Sequence, residues 1–128
     1  MVSALFDTNI LIDYLNGIAQ AKAELQRYSD RAISVITWME VMVGTCPDTL
    51  VGTKALLSGF VLLPIDDRVA ERAVFIRQTK RVKLPDAMVW ATAQVNSRLL
   101  VTRNFKDMAE DEPGVRIPYK LQASNPPG

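Results

Sequence analysis

The 128-residue sequence has no histidine and a single cysteine, Cys46. Without histidine, Ser-His-Asp and Cys-His catalysis are excluded, as are the usual zinc and transition-metal ligand sets. Any metal site must be built from oxygen, which points to Mg²⁺ or Mn²⁺. One cysteine allows no internal disulfide, and a reducing cytoplasm fits best. With no histidine to activate it, Cys46 is expected to be a small buried hydrophobe and not a nucleophile. No apolar run approaches the roughly 20 residues that span a bilayer. Asp7, Asn9 and Asp13 interrupt the N-terminus, so no basic segment leads into an apolar signal core. The net charge of +1 gives no global attraction to nucleic acid, which local clustering would have to supply.

What the chain does have is a hydrophobic content of 48%, enough for a packed core. The length suits one domain, expected over residues 1–119, with residues 120–128 as a flexible tail. Short apolar runs at Val2 to Phe6, Ala32 to Ile36, Phe60 to Leu63 and Leu99 to Val101 read as buried strands, and Val115 to Ile117 as a fifth, at an edge. Helical spacing fills the gaps between them. Thr37 and Glu40 have the spacing of a capping box at the start of one helix. Trp38 to Val43 is apolar on nearly every side, which implies deep burial or a subunit contact. Another helix is expected to begin at Asp48. Asp66-Asp67 reads as favourable charge at the head of a helix, and Leu84-Pro85-Asp86 as the start of the next. The alternation predicts a three-layer α/β/α fold with a mostly parallel sheet of four to five strands.

Strand ends gather along one edge of a parallel sheet, and four carboxylates follow this pattern. Asp7 follows the first strand, Glu40 the second, Asp86 heads a helix, and Asp107 lies beyond the fourth strand. Each alone has an adequate explanation as a helix cap. Together, with Asn9, Thr37, Thr102 and Asn104 beside them, they form a pocket in which carboxylates repel unless a divalent cation is shared. Metal-assisted phosphodiester or phosphoryl transfer uses such a pocket. Six basic residues, Arg68, Arg72, Arg77, Lys80, Arg81 and Lys83, run up to Leu84-Pro85-Asp86.

FDTNILID (Phe6 to Asp13), ISVITWMEVMVG (Ile33 to Gly44), LPDAMVWATA (Leu84 to Ala93) and LLVTRNFKDM (Leu99 to Met108) stand in this order in the chain. Together they resemble the PIN-domain ribonucleases, and within them the small VapC-like toxins of bacterial toxin–antitoxin pairs. The resemblance runs from about Val2 to Tyr119. It implies that Asp7, Glu40, Asp86 and Asp107 bind Mg²⁺ or Mn²⁺, and that Asn9, Thr37, Thr102 and Asn104 hold those carboxylates and the attacking water. In-line hydrolysis would leave a 5′-phosphate and a 3′-hydroxyl. Arg68, Arg72, Arg77, Lys80, Arg81, Lys83 and Arg103 would contact the RNA backbone. A homodimer and a cognate antitoxin are the partners the resemblance implies. Met108 departs from the family pattern, where an aromatic is common, and the match after Glu110 is loose.

Two other readings come from different classes. An aspartyl-nucleophile phosphatase would use Asp7 to attack phosphorus, but wants a second aspartate where Asn9 stands. A catalytically silent module that binds RNA or protein is opposed by the intact set of four acids.

Overall fold

The computed structural model describes residues 2–104 and 112–121. Its elements run β1 (Ser3–Phe6), α1 (Thr8–Leu15), α2 (Ala19–Gln26), β2 (Asp30–Ser34), α3 (Val35–Val43), α4 (Leu50–Leu57), β3 (Val61–Leu63), α5 (Asp67–Thr79), α6 (Leu84–Val95), β4 (Leu99–Val101) and β5 (Val115–Arg116). The five strands form one sheet in the order β3-β2-β1-β4-β5, and every pairing is parallel. The α/β/α expectation is borne out.

Alternation along the strands sorts the core into two layers. Leu5 and Leu100 point to one face, against Val69, Ala73 and Ile76 of α5 and Ala87, Trp90 and Ala91 of α6. Ala4, Phe6 and Val101 point to the other, against Ile10, Leu11, Ala21, Leu25, Val41 and Leu57 of α1 to α4. Alanines on α6 let that helix lie close to the sheet. Among the described residues no helix is long and apolar enough to cross a membrane.

Five expectations change. The run AISVI does not continue as a strand to Ile36. Ser34, fully buried, ends β2, caps α3 and accepts from the Ile36 amide at 3.1 Å. An apolar run cannot by itself distinguish strand from the first turn of a buried helix. Thr37 and Glu40 therefore lie inside α3 and form no capping box. α4 begins at Leu50 after a turn in which Thr49 Oγ1 accepts from the Cys46 amide, not at Asp48. That turn leaves Cys46 exposed, against the expectation of burial. Met39 and Val43 are also exposed, so the apolar α3 is not buried all round. Asp66 does cap α5, accepting from the Val69 amide at 3.0 Å.

Candidate active site

The strand order reverses direction between β1 and β4, and a crevice opens there at the C-terminal edge of a parallel sheet. Asp7 stands at this point. Its amide donates to the Val101 carbonyl at 2.9 Å, continuing the β1–β4 pairing, and it is the N-cap residue of α1. One carboxylate oxygen, Oδ1, accepts from the Thr8 amide at 2.8 Å. The other, Oδ2, accepts from Thr102 Oγ1 at 2.8 Å and from Asn9 Nδ2 at 3.3 Å. Thr102, itself fully buried, also accepts from Asn9 Nδ2 at 3.2 Å and from the Asn104 amide at 3.1 Å, so its hydroxyl is fully satisfied. The remaining oxygen of the Asn9 amide accepts from the Arg103 amide at 3.2 Å.

Three carboxylates are buried among the described residues: Asp7, Asp13 and Glu24. Asp13 is paired with the guanidinium of Arg103 through two bonds, at 2.5 and 3.0 Å, and accepts from Tyr119 at 2.8 Å. Glu24 is paired in the same two-pronged way with Arg116, at 2.7 and 3.1 Å. Asp7 has no ion-pair partner among the described residues. Burial pushes its carboxyl from 3.8 up to about 6; hydrogen bonds from Thr102 and Thr8 oppose the rise, while nearby Asp86 and Glu40 add to it.

Glu40, on α3, is exposed, and its Oε1 accepts from Thr8 Oγ1 at 2.5 Å. The same Thr8 hydroxyl lies 3.0 Å from that of buried Thr37. Asp86 is half-buried in the first turn of α6, behind Pro85. Asp7, Glu40 and Asp86 are thus brought to one place, and the charge of each of the latter two is felt at the first. Among the described residues no three acidic groups stand near enough together to enclose an ion as they are positioned; Glu40 is turned onto Thr8. The donor chemistry still suits a hard divalent cation: oxygen ligands only, and a buried carboxylate with no ion pair among the described residues. Asp107 lies outside the described residues.

The basic side chains divide in two. Arg68 pairs with Asp66 at 3.7 Å. Arg72 donates to Gln94 Oε1 at 2.5 Å and stacks on Phe75. Lys80 pairs with Glu112 at 2.9 Å and lies over the Trp90 ring. Arg103, expected to face RNA, has its planar fork committed to Asp13, and this bond raises its pKa. Arg77, Arg81 and Lys83 are exposed and line a hollow. The sequence reading missed Thr8, whose position in the first helical turn after Asp7 was a usable signal. It also missed the tie from Asp13 to Arg103, which no local signal announces.

A parallel α/β domain with acidic residues at the C-terminal edge of its sheet defines the class of protein. The chain belongs to the PIN-domain family, whose profile matches residues 4–110. Comparison with curated proteins returns no match. Among solved structures, a chain of a toxin–antitoxin complex from Klebsiella pneumoniae is 49% identical, with a TM-score of 0.89, over 93% of this chain and 100% of that one. A chain of DNA-bound VapBC from Salmonella typhimurium is 23% identical, with a TM-score of 0.75, over 91% of this chain and 96% of that one. One of FitAcB from Neisseria gonorrhoeae is 24% identical, with a TM-score of 0.73, over 92% and 99%. The last two establish the fold alone.

Proposed function

We propose that this protein is a Mg²⁺- or Mn²⁺-dependent endoribonuclease and the toxin of a toxin–antitoxin pair, acting in the cytoplasm. The observation that carries the reading is the contrast among the buried acids. Asp13 and Glu24 each have an arginine, whereas among the described residues Asp7 has no ion pair and feels the charge of two further carboxylates. Support for the partner comes from the Klebsiella pneumoniae complex at 49% identity, and a cognate antitoxin and a homodimer belong to the proposal.

Asp7, Glu40 and Asp86, with Asp107, would hold the ion, which when bound polarises a phosphate and acidifies a water. Thr8, Asn9 and Thr102 fix the Asp7 carboxylate in one orientation. Thr37 accepts from the Thr8 hydroxyl that also meets Glu40. Asn9 is occupied on both its oxygen and its nitrogen, so it offers no general acid for an aspartyl-nucleophile phosphatase. Basic side chains at the α5–α6 turn would take the RNA backbone, which fixes position without reading sequence.

The test is cleavage of a mixed RNA pool with Mg²⁺ or Mn²⁺, with EDTA and Asp7→Asn as controls. Metal-dependent cutting that Asp7→Asn abolishes is the expected result. Cutting that persists in EDTA, or in the variant, would overturn the reading. Glu40 is bonded to Thr8, and no three acids among the described residues are placed to hold an ion, which favours a second reading, a catalytically silent module that binds RNA or protein. Absence of any Mn²⁺-dependent shift in melting would favour it over the first.

A further inference from the structure

The turn between α5 and α6 carries a hollow of about 400 Å³ lined by Arg77, Arg81, Val82 and Lys83. Its charge arises from local backbone geometry. α5 ends at Thr79, and Lys80 (φ −128°, ψ 151°) and Lys83 (φ −63°, ψ 150°) are extended. Between them the Val82 amide donates to the Lys80 carbonyl at 2.9 Å, a tight turn centred on Arg81. Lys80 meets Trp90 and Glu112 and Val82 is buried, while Arg81 and Lys83 remain exposed, as does Arg77.

Every other basic residue of the run has a carboxylate, amide or ring partner. Arg77, Arg81 and Lys83 have no ion pair, hydrogen bond or ring contact among the described residues. Three cations around one hollow repel each other, and an anion relieves that repulsion. Lys83 is also the N-cap residue of the twelve-residue α6, whose amide end favours negative charge. Asp86 stands in the first turn of the same helix, so the hollow flanks the acidic site. Among the described residues no aromatic ring lines it, which suits it to a phosphate more than to a stacked base.

We infer that the Arg77–Arg81–Lys83 hollow is a subsite for a backbone phosphate of the RNA, separate from the phosphate at the acidic site. This rests on the ribonuclease reading. The four other basic residues, Arg68, Arg72, Lys80 and Arg103, hold the protein's own elements and contribute little to RNA affinity.

The experiment measures binding of a fluorescent single-stranded RNA in EDTA, where no cutting occurs, at several salt concentrations. Each phosphate contact on a single strand contributes about 0.7 to the slope of log K against log salt. The Arg77→Gln/Arg81→Gln/Lys83→Gln variant should lower that slope by about 0.7 and weaken binding about 5-fold at 0.1 M salt, equally for unrelated RNA sequences. An Arg68→Gln/Arg72→Gln control should keep the native slope. If the triple variant melts early, the Arg81→Gln/Lys83→Gln double variant should lower the slope by up to about 0.7. A native protein that cuts and binds RNA, with an unchanged slope in these variants, overturns the subsite alone. A native protein that cuts no RNA with either metal overturns the ribonuclease reading and the subsite with it.

Discussion

Thr102 Oγ1 donates to Asp7 Oδ2 at 2.8 Å, joining the residue after β4 to the residue after β1. The bond favours the charged form of a carboxylate that burial would neutralise. Thr102→Val keeps the shape and removes the hydroxyl. It should cost about 1–3 kcal/mol, because Asn9 and the Asn104 amide also lose their acceptor. Thr102→Ser should restore most of this loss. Urea denaturation of the three proteins checks it, and equal stability of valine and threonine forms would contradict the network described.

The raised pKa of Asp7 makes a second prediction, with its sign set by linkage. Its folded value, about 6, exceeds its ordinary value of 3.8, so the folded state holds the proton more tightly. In metal-free protein this contribution is full below pH 4 and lost as pH rises through 6, by about 3 kcal/mol at most. Asp7→Asn should therefore be more stable than the native chain at pH 7.5 in EDTA, and no more stable at pH 4. Mn²⁺ should act in the opposite sense, stabilising the native protein above pH 6 and little below pH 5, since protons compete for the carboxylate. Melting curves over pH 4–8 with EDTA or Mn²⁺ decide the matter.

Much of this was legible in the chain because period and position carry it. Val2 to Phe6 ending on Asp7 shows a buried strand leading into a capped helix, and repetition of that pattern gives the parallel sheet. Leu99 to Val101 coincides with β4. What the sequence could not carry was pairing at long range. Nothing local says that β1 lies between β2 and β4, so the crevice at Asp7 is visible only once the order is known. Arg103 read as a free cation because its partner, Asp13, is 90 residues away. Thr37 and Glu40 read as a cap because Ser34, the residue that performs that task, sits inside an apolar run.

The Asp13–Arg103 pair should behave as a structural element and not as an RNA contact. Asp13 is buried, while about a third of the Arg103 side chain is exposed, so part of the interaction is screened by solvent. Arg103→Gln should cost about 2–3 kcal/mol, below the 3–5 typical of a fully buried pair. Among the described residues Tyr119 would remain as the side-chain partner of the Asp13 carboxylate, and the segment following β5 should loosen. Hydrogen exchange at residues 115–121 checks the second point. A variant of native stability with weakened RNA binding would return Arg103 to the nucleic-acid face.

Asp86 separates the structural and chemical roles of an acid at a helix start. It lies in the first turn of α6, where negative charge and short polar side chains are both favourable. Asp86→Asn keeps the volume and much of the local bonding capacity. Its effect on the helix should stay within about 1 kcal/mol. Its effect on Asp7 should be favourable, since the Asp86 charge adds to the rise in the Asp7 pKa and that part would vanish. The metal-free variant should thus melt at or slightly above the native temperature near pH 7. Endoribonuclease activity should fall by two or more orders of magnitude, because one of the oxygens proposed to hold the ion no longer carries charge. A denaturation curve and a cleavage assay on the same preparation read both effects. A variant that melts early yet cuts normally would make Asp86 a helix-start residue only, and would leave Asp7 and Glu40 without their third partner.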